Sequence, residues 1–279
     1  MQTLQAVITG AIQGLSEFLP ISSSAHIVFS NTLYSLITGE ELSAVASGEE
    51  IFFDIMVHLA TLFAVCIYFF NDLKDILKDS LSALKEKKQN ENSKILCYIL
   101  VTTMITGCIG LLIKPGVEKL IVNPKIICIL LAITGILLLF SEKIYQGNKK
   151  IDFKKSILIG IAQSLAVCPG FSRSGFTIAS ALLQGVNRID AAKFSFLMSI
   201  PVIALASLVY PLMELDISEI ATFNFKALIL GFIVSFVVGY LCIKYFMQLL
   251  KNITLRFFGY YCLLASVVMF VLFQVYYRI

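Results

Sequence analysis

Six long apolar runs are the feature that most restricts how this chain can fold. A helix needs about 20 residues to cross the hydrocarbon core of a bilayer, and these runs approach or reach that length. With 58% hydrophobic and only 14% charged residues, the 279-residue chain has the composition of an all-α polytopic membrane protein. The predicted spans are residues 51–70, 95–113, 125–140, 194–210, 226–245 and 257–277.

The charged residues and the cysteines exclude several classes of function. The net charge of +4 is small and spread over the loops, so no nucleic-acid surface is expected. The seven cysteines lie in apolar runs without metal-like spacing, and we interpret them as reduced packing residues.

Two further apolar segments are broken in the middle and predict re-entrant hairpins. Residues 3–37 are interrupted by Pro20 and three successive serines, which disfavour a continuous helix. Residues 156–183 are interrupted around a second tip that contains a proline. Each half-helix is too short to span the membrane, so the broken backbone is expected to lie inside protein and not in lipid.

The two hairpins begin two similar halves of the chain. The matching residues are Gly10, Gln13, Leu15 and Pro20 in the first half and Gly160, Gln163, Leu165 and Pro169 in the second. The order hairpin, span, span, span occurs twice, and three spans per half would invert the second half in the membrane. We therefore predict a single membrane domain, 1–279, of two inverted repeats at about 1–141 and 156–279.

The distribution of lysine and arginine predicts how this domain is oriented. The loops at 71–94, 142–155, 187–193 and 244–256 hold sixteen basic residues, against five on the other side. Basic loops tend to be cytoplasmic, so these loops are predicted to face the cytoplasm. Apolar residues at helical spacing in the first half of 71–94 predict an amphipathic helix on the membrane surface. Both termini and the mouth of the first hairpin would then face outward.

The tip of the second hairpin, P-G-F-S-R-S-G-F-T at 169–177, has the composition of an anion site. An unpaired Arg173 in apolar surroundings would cost about 2.5–3.5 kcal/mol. Its planar fork of N–H groups matches phosphate oxygens, and a helix that starts near Gly175 would add backbone N–H groups. Hydroxyls and a flexible glycine surround the arginine: Gly170, Ser172, Ser174 and Thr177. The competing interpretation is a kinked junction whose arginine extends to the interface, but that does not explain the hydroxyls.

The first tip carries a carboxylate, an amide, serines and an imidazole. Gln13 and Glu17 are four residues apart and share a helix face. Ser23 lies in the serine run, and His26 beyond it is able to fold back toward Glu17. Charged and ionisable residues inside a membrane hairpin are functional candidates, although Glu17 and Arg173 could also form a purely structural pair.

Two other polar residues lie in the span at 51–70. His58 is interpreted as a hydrogen-bonded core residue or a support for the site, because a single histidine in an apolar span is more often structural. Asp54 is expected near the outer end of the span, where it would be solvated.

Two segments resemble the signature motifs of the undecaprenyl-diphosphate phosphatase family of the bacitracin-resistance type. They are Q-G-L-S-E-F-L-P-I-S-S-S-A-H and P-G-F-S-R-S-G-F-T, and F-D-I-M-V-H-L-A-T-L-F-A-V also resembles that family. The likeness covers essentially the whole chain. Ala25 and Ala60 stand where glycine is usual, which affects only local backbone freedom. The first motif permits glutamate or glutamine at its first position, and this chain has Gln13 there. The site therefore has one carboxylate fewer than it would have with glutamate.

The resemblance implies an enzyme that hydrolyses undecaprenyl diphosphate to undecaprenyl phosphate and inorganic phosphate. Such an enzyme recycles the lipid carrier of cell-wall precursors, supports peptidoglycan synthesis and cell shape, and confers resistance to bacitracin. It implies a multi-pass protein in the plasma membrane of a bacterium, and the orientation predicted from the basic loops would open its active site outward. Its partners would be the lipid substrate and membrane lipid, and a homodimer is one oligomeric state that stays open.

The resemblance also implies a role for each matched residue. The phosphate-binding group would be Gly170, Ser172, Arg173, Ser174 and Thr177. Glu17, with Gln13, would hold a divalent cation such as Mg²⁺ or Ca²⁺. Glu17, Arg173, His26 and Ser23 would be catalytic, and the nucleophile stays open between His26, Ser23 and a metal-bound water.

A transporter is the competing class of function. Inverted repeats, broken helices and charges at mid-depth are also expected of a polyprenyl-phosphate flippase or an anion carrier. A carrier has no need of a carboxylate paired with an imidazole, so the sequence favours the enzyme.

Overall fold

The computed structural model describes residues 2–39, 47–121, 124–214 and 222–276. Within these residues the regular structure is helical, as predicted for an all-α membrane protein. The helices are α1 Thr3–Phe18, α2 Ser23–Thr38, α3 Gly48–Tyr68, α4 Phe70–Glu86, α5 Glu91–Ile121, α6 Pro124–Lys143, α7 Phe153–Leu165, α8 Arg173–Leu183, α9 Arg188–Glu214, α10 Phe225–Leu249 and α11 Arg256–Tyr276.

Six of these helices are long and apolar enough to cross a membrane, in agreement with the six predicted spans. They are α3, α5, α6, α9, α10 and α11. The span predicted at 95–113 belongs to a longer helix, because α5 continues through Pro115 to Ile121. A proline removes one helical hydrogen bond but need not end a helix.

The helix of the first predicted span, 51–70, begins earlier than expected. Residues 40–46 lie outside the described residues, and Glu49 and Glu50 already form the first turn of α3. The side chain of Ser47 accepts a hydrogen bond from the Glu50 N–H, and the Glu50 carboxylate accepts one from the Ser47 N–H. This reciprocal capping box starts the helix at Gly48.

The first predicted hairpin consists of α1 and α2, each 16 residues long and too short for a span. The extended backbone of Leu19 ends α1 directly before Pro20. Ser22 adopts a positive φ of 70°, and its side chain caps α2 by accepting a hydrogen bond from the Ala25 N–H. The serine run therefore both breaks the first helix and starts the second.

The second hairpin consists of α7 and α8, with 13 and 11 residues. Gly170 has a φ of 104°, and a Cβ at this position would lie 2.7 Å from the Ile127 carbonyl oxygen, so the turn needs glycine. Ser172 caps α8 by accepting from the Gly175 N–H at 3.1 Å. The helix therefore begins at Arg173, slightly before the predicted start near Gly175.

The amphipathic helix predicted in the first half of 71–94 is α4. Ile76 is buried against the protein, whereas Leu77, Leu81 and Leu84 are exposed along the other side of the helix. An exposed apolar row on a helix with lysines is typical of a helix that lies on a membrane surface.

The first helix of each hairpin packs against a span from the opposite half of the chain. On α1, a Cβ at Gly10 would lie 2.5 Å from the Gly231 carbonyl oxygen of α10, and one at Gly14 would lie 2.6 Å from that of Ser235. In the second half, α7 packs on α5, with Gly160 at the contact. Two similar halves that each pack their hairpin against the other half would give these two pairings. The inverted placement of the second half in a membrane stays a prediction.

An aromatic core lies directly behind the first tip. The ring of Phe18, at the end of α1, meets Phe196 of α9 edge-on at a centroid distance of 5.3 Å. Phe196 in turn packs against Phe69 and Phe246, and Phe246 against Phe258. The end of α1 is thereby fixed to α9, α10 and α11.

A buried ion pair joins the ends of three spans on the side predicted to be cytoplasmic. Arg188 binds Glu142 with two nitrogens, at 2.7 and 2.5 Å. One Glu142 oxygen also accepts the Leu255 N–H at 2.8 Å, and the Arg188 guanidinium lies 4.1 Å from the Tyr145 ring centroid. Both oxygens of this carboxylate are satisfied, so the pair ties α6 to the starts of α9 and α11.

Candidate functional site

The tips of the two hairpins meet. The Gly170 N–H donates to the Ser24 hydroxyl at 3.1 Å, and the Ser174 hydroxyl donates to the Leu19 carbonyl at 3.0 Å. Arg173 binds Glu17 at 2.5 Å. Backbone and side-chain bonds together therefore join two tips that lie about 150 residues apart in sequence.

The carboxylate of Glu17 is the centre of the resulting cluster. Its residue is 8% exposed, and its Oε1 accepts from Nη2 of Arg173. Its Oε2 accepts from Gln13 Nε2 at 2.9 Å and from the Ser23 hydroxyl at 3.0 Å. Gln13 reaches Glu17 because the two are one helical turn apart on α1. A buried carboxylate is thus held by an arginine, an amide and a serine.

Arg173 uses only part of its donor capacity within this cluster. Its Nη1 is buried and has no hydrogen-bond partner among the described residues. A buried donor without a partner costs about 1–3 kcal/mol and calls for an explanation, such as a ligand that fills the position. Phosphate oxygens fit a guanidinium fork, so this nitrogen is a candidate phosphate contact. The arginine does not extend to an interface, since its side chain is 17% exposed and ends at Glu17.

The hydroxyls of the second tip all have partners within the protein. Ser172 caps α8, and Ser174 binds the first tip. The Thr177 hydroxyl bonds the Arg173 carbonyl at 2.8 Å and lies 2.6 Å from the Ser195 hydroxyl. The structure therefore gives these groups a part in building the tip, and their contact with phosphate stays a prediction.

His26 does not fold back onto Glu17. Its Nδ1 lies 2.8 Å from the Ser22 carbonyl oxygen, and its Nε2 lies 2.8 Å from the hydroxyl of Tyr261 on α11. Ser23, at the first position of α2, takes the place beside Glu17. Tyr261 was not among the predicted site residues, because it lies 235 positions away in an apolar span and belongs to no motif.

His58 lies closer to Glu17 than its place in a span suggested. Its Nδ1 is 2.8 Å from the Asp54 carbonyl oxygen, and its Nε2 is 3.9 Å from Glu17 Oε2. The Asp54 carboxylate is 3.6 Å from His58 Nδ1 and more than half exposed. His58 thus lies beside the cluster but beyond hydrogen-bond distance of the Glu17 carboxylate, and a supporting role for it stays a prediction.

The cation expected at this site would have few protein ligands. No group of three or more His, Cys, Asp and Glu residues is arranged to hold a metal in the part of the chain that the structure describes. Gln13 Oε1 is buried without a partner among those same residues, and it lies on the side chain that binds Glu17. Mg²⁺ is often held by one or two carboxylates together with substrate phosphates, so Glu17 and Gln13 fit such a site.

Comparison with known proteins supports the interpretation of these motifs. The family model described as bacitracin resistance protein BacA matches residues 6–268. A protein of Methanosphaera stadtmanae named undecaprenyl-diphosphatase is 36% identical over 288 aligned positions, which cover 98% of each chain. A protein of Methanobrevibacter smithii with the same name is 33% identical over 283 positions, which cover 97% of each chain.

Proposed function

The chain belongs to the family of bacitracin resistance protein BacA, and from this premise we propose that it hydrolyses undecaprenyl diphosphate to undecaprenyl phosphate and inorganic phosphate. One observation from the structure supports this proposal independently of the family resemblance. The buried Nη1 of Arg173, which has no hydrogen-bond partner among the residues that the structure describes, lies in the same cluster as a serine hydroxyl that is hydrogen-bonded to the Glu17 carboxylate. A phosphate ligand and an activated nucleophile are what phosphoryl transfer requires.

Ser23 is the nucleophile in this proposal, and Glu17 is its general base. The Ser23 oxygen attacks the terminal phosphorus while its proton passes to Glu17, to which it already donates at 3.0 Å. The bond from that phosphorus to the bridging oxygen breaks, and undecaprenyl phosphate leaves with the bridging oxygen and its electron pair. Arg173 stabilises the charge on the phosphoryl oxygens.

A second displacement then restores the enzyme. Water attacks the phosphorus of the phosphoserine and gives a proton to the oxygen of the Tyr261 hydroxyl, whose own proton passes to Nε2 of His26, one helical turn beyond Ser23 on α2. The bond from phosphorus to the Ser23 oxygen breaks, Glu17 returns its proton to that oxygen, and inorganic phosphate leaves. His26 then releases its proton to solvent.

The contacts favour Ser23 over the other two nucleophiles. Ser23 has a base within hydrogen-bond distance, whereas Nε2 of His26 already lies against the Tyr261 hydroxyl. A metal-bound water would need a cation that is fixed mainly by protein groups, and the part of the chain that the structure describes has no group of three or more His, Cys, Asp and Glu residues that could hold one.

A divalent cation is also part of the proposal, with Glu17 and Gln13 Oε1 as its protein ligands. When bound, Mg²⁺ or Ca²⁺ would neutralise charge on the diphosphate. Chelator in excess should therefore stop phosphate release by the purified protein, and added Mg²⁺ or Ca²⁺ should restore it. An unchanged rate in excess chelator would exclude the cation.

The site is proposed to open toward the outer face of the cell membrane, because the basic loops place the mouth of the first hairpin there. The polyprenyl chain would stay in lipid while its diphosphate reaches the two tips. Recycling of the lipid carrier on that side would support cell-wall synthesis and resistance to bacitracin.

Release of phosphate in detergent tests this function against transport. Purified protein in detergent micelles has no second compartment, so a carrier has no gradient to discharge and should leave the diphosphate intact. We expect undecaprenyl diphosphate to be converted to the monophosphate with one equivalent of inorganic phosphate. Binding of the lipid without phosphate release would favour a flippase or carrier.

A further inference from the structure

Helix α4, Phe70–Glu86, joins two membrane spans on one side of the protein. The span of α3 ends directly before it, and the span of α5 begins a few residues after it. The middle of α4 is fixed beside the start of α5, because Asn90 donates to the Asp79 carbonyl at 2.9 Å and Asn92 donates to the Asp79 carboxylate at 2.7 Å. The helix is therefore expected at the level of the lipid headgroups.

Contacts with the protein set the rotation of α4 about its own axis. Ile76 and Ser80, which are one turn apart, are both buried. On the same side, Asp72 forms an ion pair with Lys193 of α9, and Asp79 accepts the hydrogen bonds from the start of α5. These contacts determine which residues of α4 point away from the protein.

The residues that point away from the protein form rows of different chemistry along the helix. The first row consists of exposed leucines: Leu77, Leu81 and Leu84. The second row follows one edge of the first and consists of exposed lysines: Lys74, Lys78 and Lys85. At about 3.6 residues per turn, the exposed Asp75 and Glu86 lie beyond the lysines, on the side opposite to the leucines. Positive charge therefore borders the apolar row, and exposed negative charge points away from it.

We propose that α4 is a binding site for the headgroups of anionic phospholipids, with Lys74, Lys78 and Lys85 as the groups that contact them. When the leucines lie among the acyl chains, lysines at the edge of their row reach the depth of the headgroups. Lysines at this depth are attracted to anionic lipid, while Asp75 and Glu86 on the far side remain in water. Burial of the leucines alone would not need this separation of charges, so the separation favours an anionic lipid.

Tryptophan fluorescence can report which lipid lies beside the row in the full-length protein. The chain has no tryptophan, so Leu81→Trp introduces a single probe at an exposed position. This variant is reconstituted into bilayers of phosphatidylcholine with increasing amounts of phosphatidylglycerol. In one series the first lipid carries bromine, which quenches the probe on contact, and in the other series the second lipid carries it. Comparison of the two series gives the local preference for the anionic lipid.

The three lysines should determine this preference. One lysine near an anionic surface favours binding about fivefold, so we expect at least about a fivefold preference for phosphatidylglycerol at the probe. Replacement of all three lysines by glutamine, in the presence of the probe, should reduce the preference to less than about twofold. Added salt should also weaken the preference of the protein with its lysines intact, because salt screens charges near the surface.

Three exposed lysines in the other large basic segment on the same predicted side supply the matched control: Lys143, Lys150 and Lys154. Their replacement by glutamine removes the same charge from elsewhere, so it should leave the preference at the probe unchanged. Asp75→Asn combined with Glu86→Gln should keep or raise the preference, because it removes exposed negative charge from α4. Thermal unfolding checks that each variant is folded.

The alternatives give different results. An unchanged preference after loss of the α4 lysines would overturn the proposal, and an equal loss in the two triple variants would replace the site by general attraction of the charged surface. Absence of quenching by either lipid would show that the leucines are not in lipid, and a protein that covers the row would take the place of the lipid. Phosphate release is not measured, so the result does not depend on the proposed function.

Discussion

Two arginines in this protein bind buried carboxylates, and they do so with different numbers of hydrogen bonds. From this difference we infer a structural role for one pair and a role in ligand binding for the other. Arg188 places two nitrogens on Glu142, whose oxygens are fully used. Arg173 places one nitrogen on Glu17 and keeps a second buried nitrogen without a partner among the described residues. A stabilising pair would be expected to satisfy both groups, so the incomplete pair is the one suited to a ligand.

The same substitution at both positions should give opposite results. Lysine keeps the charge but not the planar fork, so Arg173→Lys should reduce kcat/KM by at least about 10²-fold with little change in melting temperature. Arg188→Lys should lower the melting temperature, because it loses a bidentate buried bond, and keep the turnover of the folded protein. Phosphate release and thermal unfolding in detergent measure both. Equal loss of activity in the two folded variants would count against a phosphate contact at Arg173.

A contact between two side chains could be predicted from the sequence where a single charged residue in an apolar segment needed a partner of opposite charge. That argument brought Glu17 and Arg173 together correctly. The direction of His26 could not be predicted, because it depends on the positive φ of Ser22 and on Tyr261, which is distant in sequence. The closeness of His58 to Glu17 depends likewise on how α3 packs beside α1.

At the scale of helices, small residues decide how the first hairpin is held. The stripe of Gly10 and Gly14 on α1 meets Gly231 and Ser235 on α10 with no room for a Cβ. Such close approach of backbones is the usual basis of helix association in membranes, where apolar burial gives little driving force. The position of Glu17, on the last turn of α1, depends on this contact.

Two glycine-to-alanine substitutions test that contact. In Gly14→Ala the new Cβ would lie 2.6 Å from the Ser235 carbonyl oxygen, so we expect a loss of about 1–3 kcal/mol of stability and reduced turnover. In Gly107→Ala, on α5, the Cβ would meet nothing within 4 Å among the described residues. That change should be neutral or stabilise by up to about 1 kcal/mol. Equal stability of the two variants, measured by thermal unfolding, would contradict the close α1–α10 contact.

The presence of helices and of breaks between them can be predicted from local sequence more readily than the residues at which the helices begin and end. Apolar length predicts the six spans, and Pro20 and Gly170 lie at the two predicted breaks. Pro115 lies inside α5, beyond the predicted end of that span at 113, since a single proline does not outweigh the helical tendency on both sides. The start of α3 was set by the capping of Ser47, which apolar periodicity does not detect.

The whole molecule is a multi-pass membrane protein whose two halves share one site. Each hairpin packs against the other half, and the serine and arginine of the site come from opposite tips. Only the folded chain can therefore assemble the site. The two inverted repeats, and the outward opening that depends on them, are predictions from the sequence pattern and the basic loops.

Cysteine labelling in intact cells tests this orientation. After removal of the seven native cysteines, single cysteines are placed at position 42, which lies outside the described residues, and at Gln89 in a basic segment. An impermeant thiol reagent should label position 42 and reach position 89 only after permeabilisation, because basic loops are retained inside. Labelling of position 89 but not 42 in intact cells would invert the topology and turn the site toward the cytoplasm.

The central claim is that phosphoryl transfer takes place on Ser23, between the two tips. Rapid acid quenching of the purified protein with substrate labelled in its terminal phosphate tests it most directly. We expect a covalent label that survives acid, as a phosphoserine does, maps to the peptide with Ser23, and is absent from Ser23→Ala. A label that acid destroys and that disappears in His26→Ala would contradict the account and make the imidazole the nucleophile.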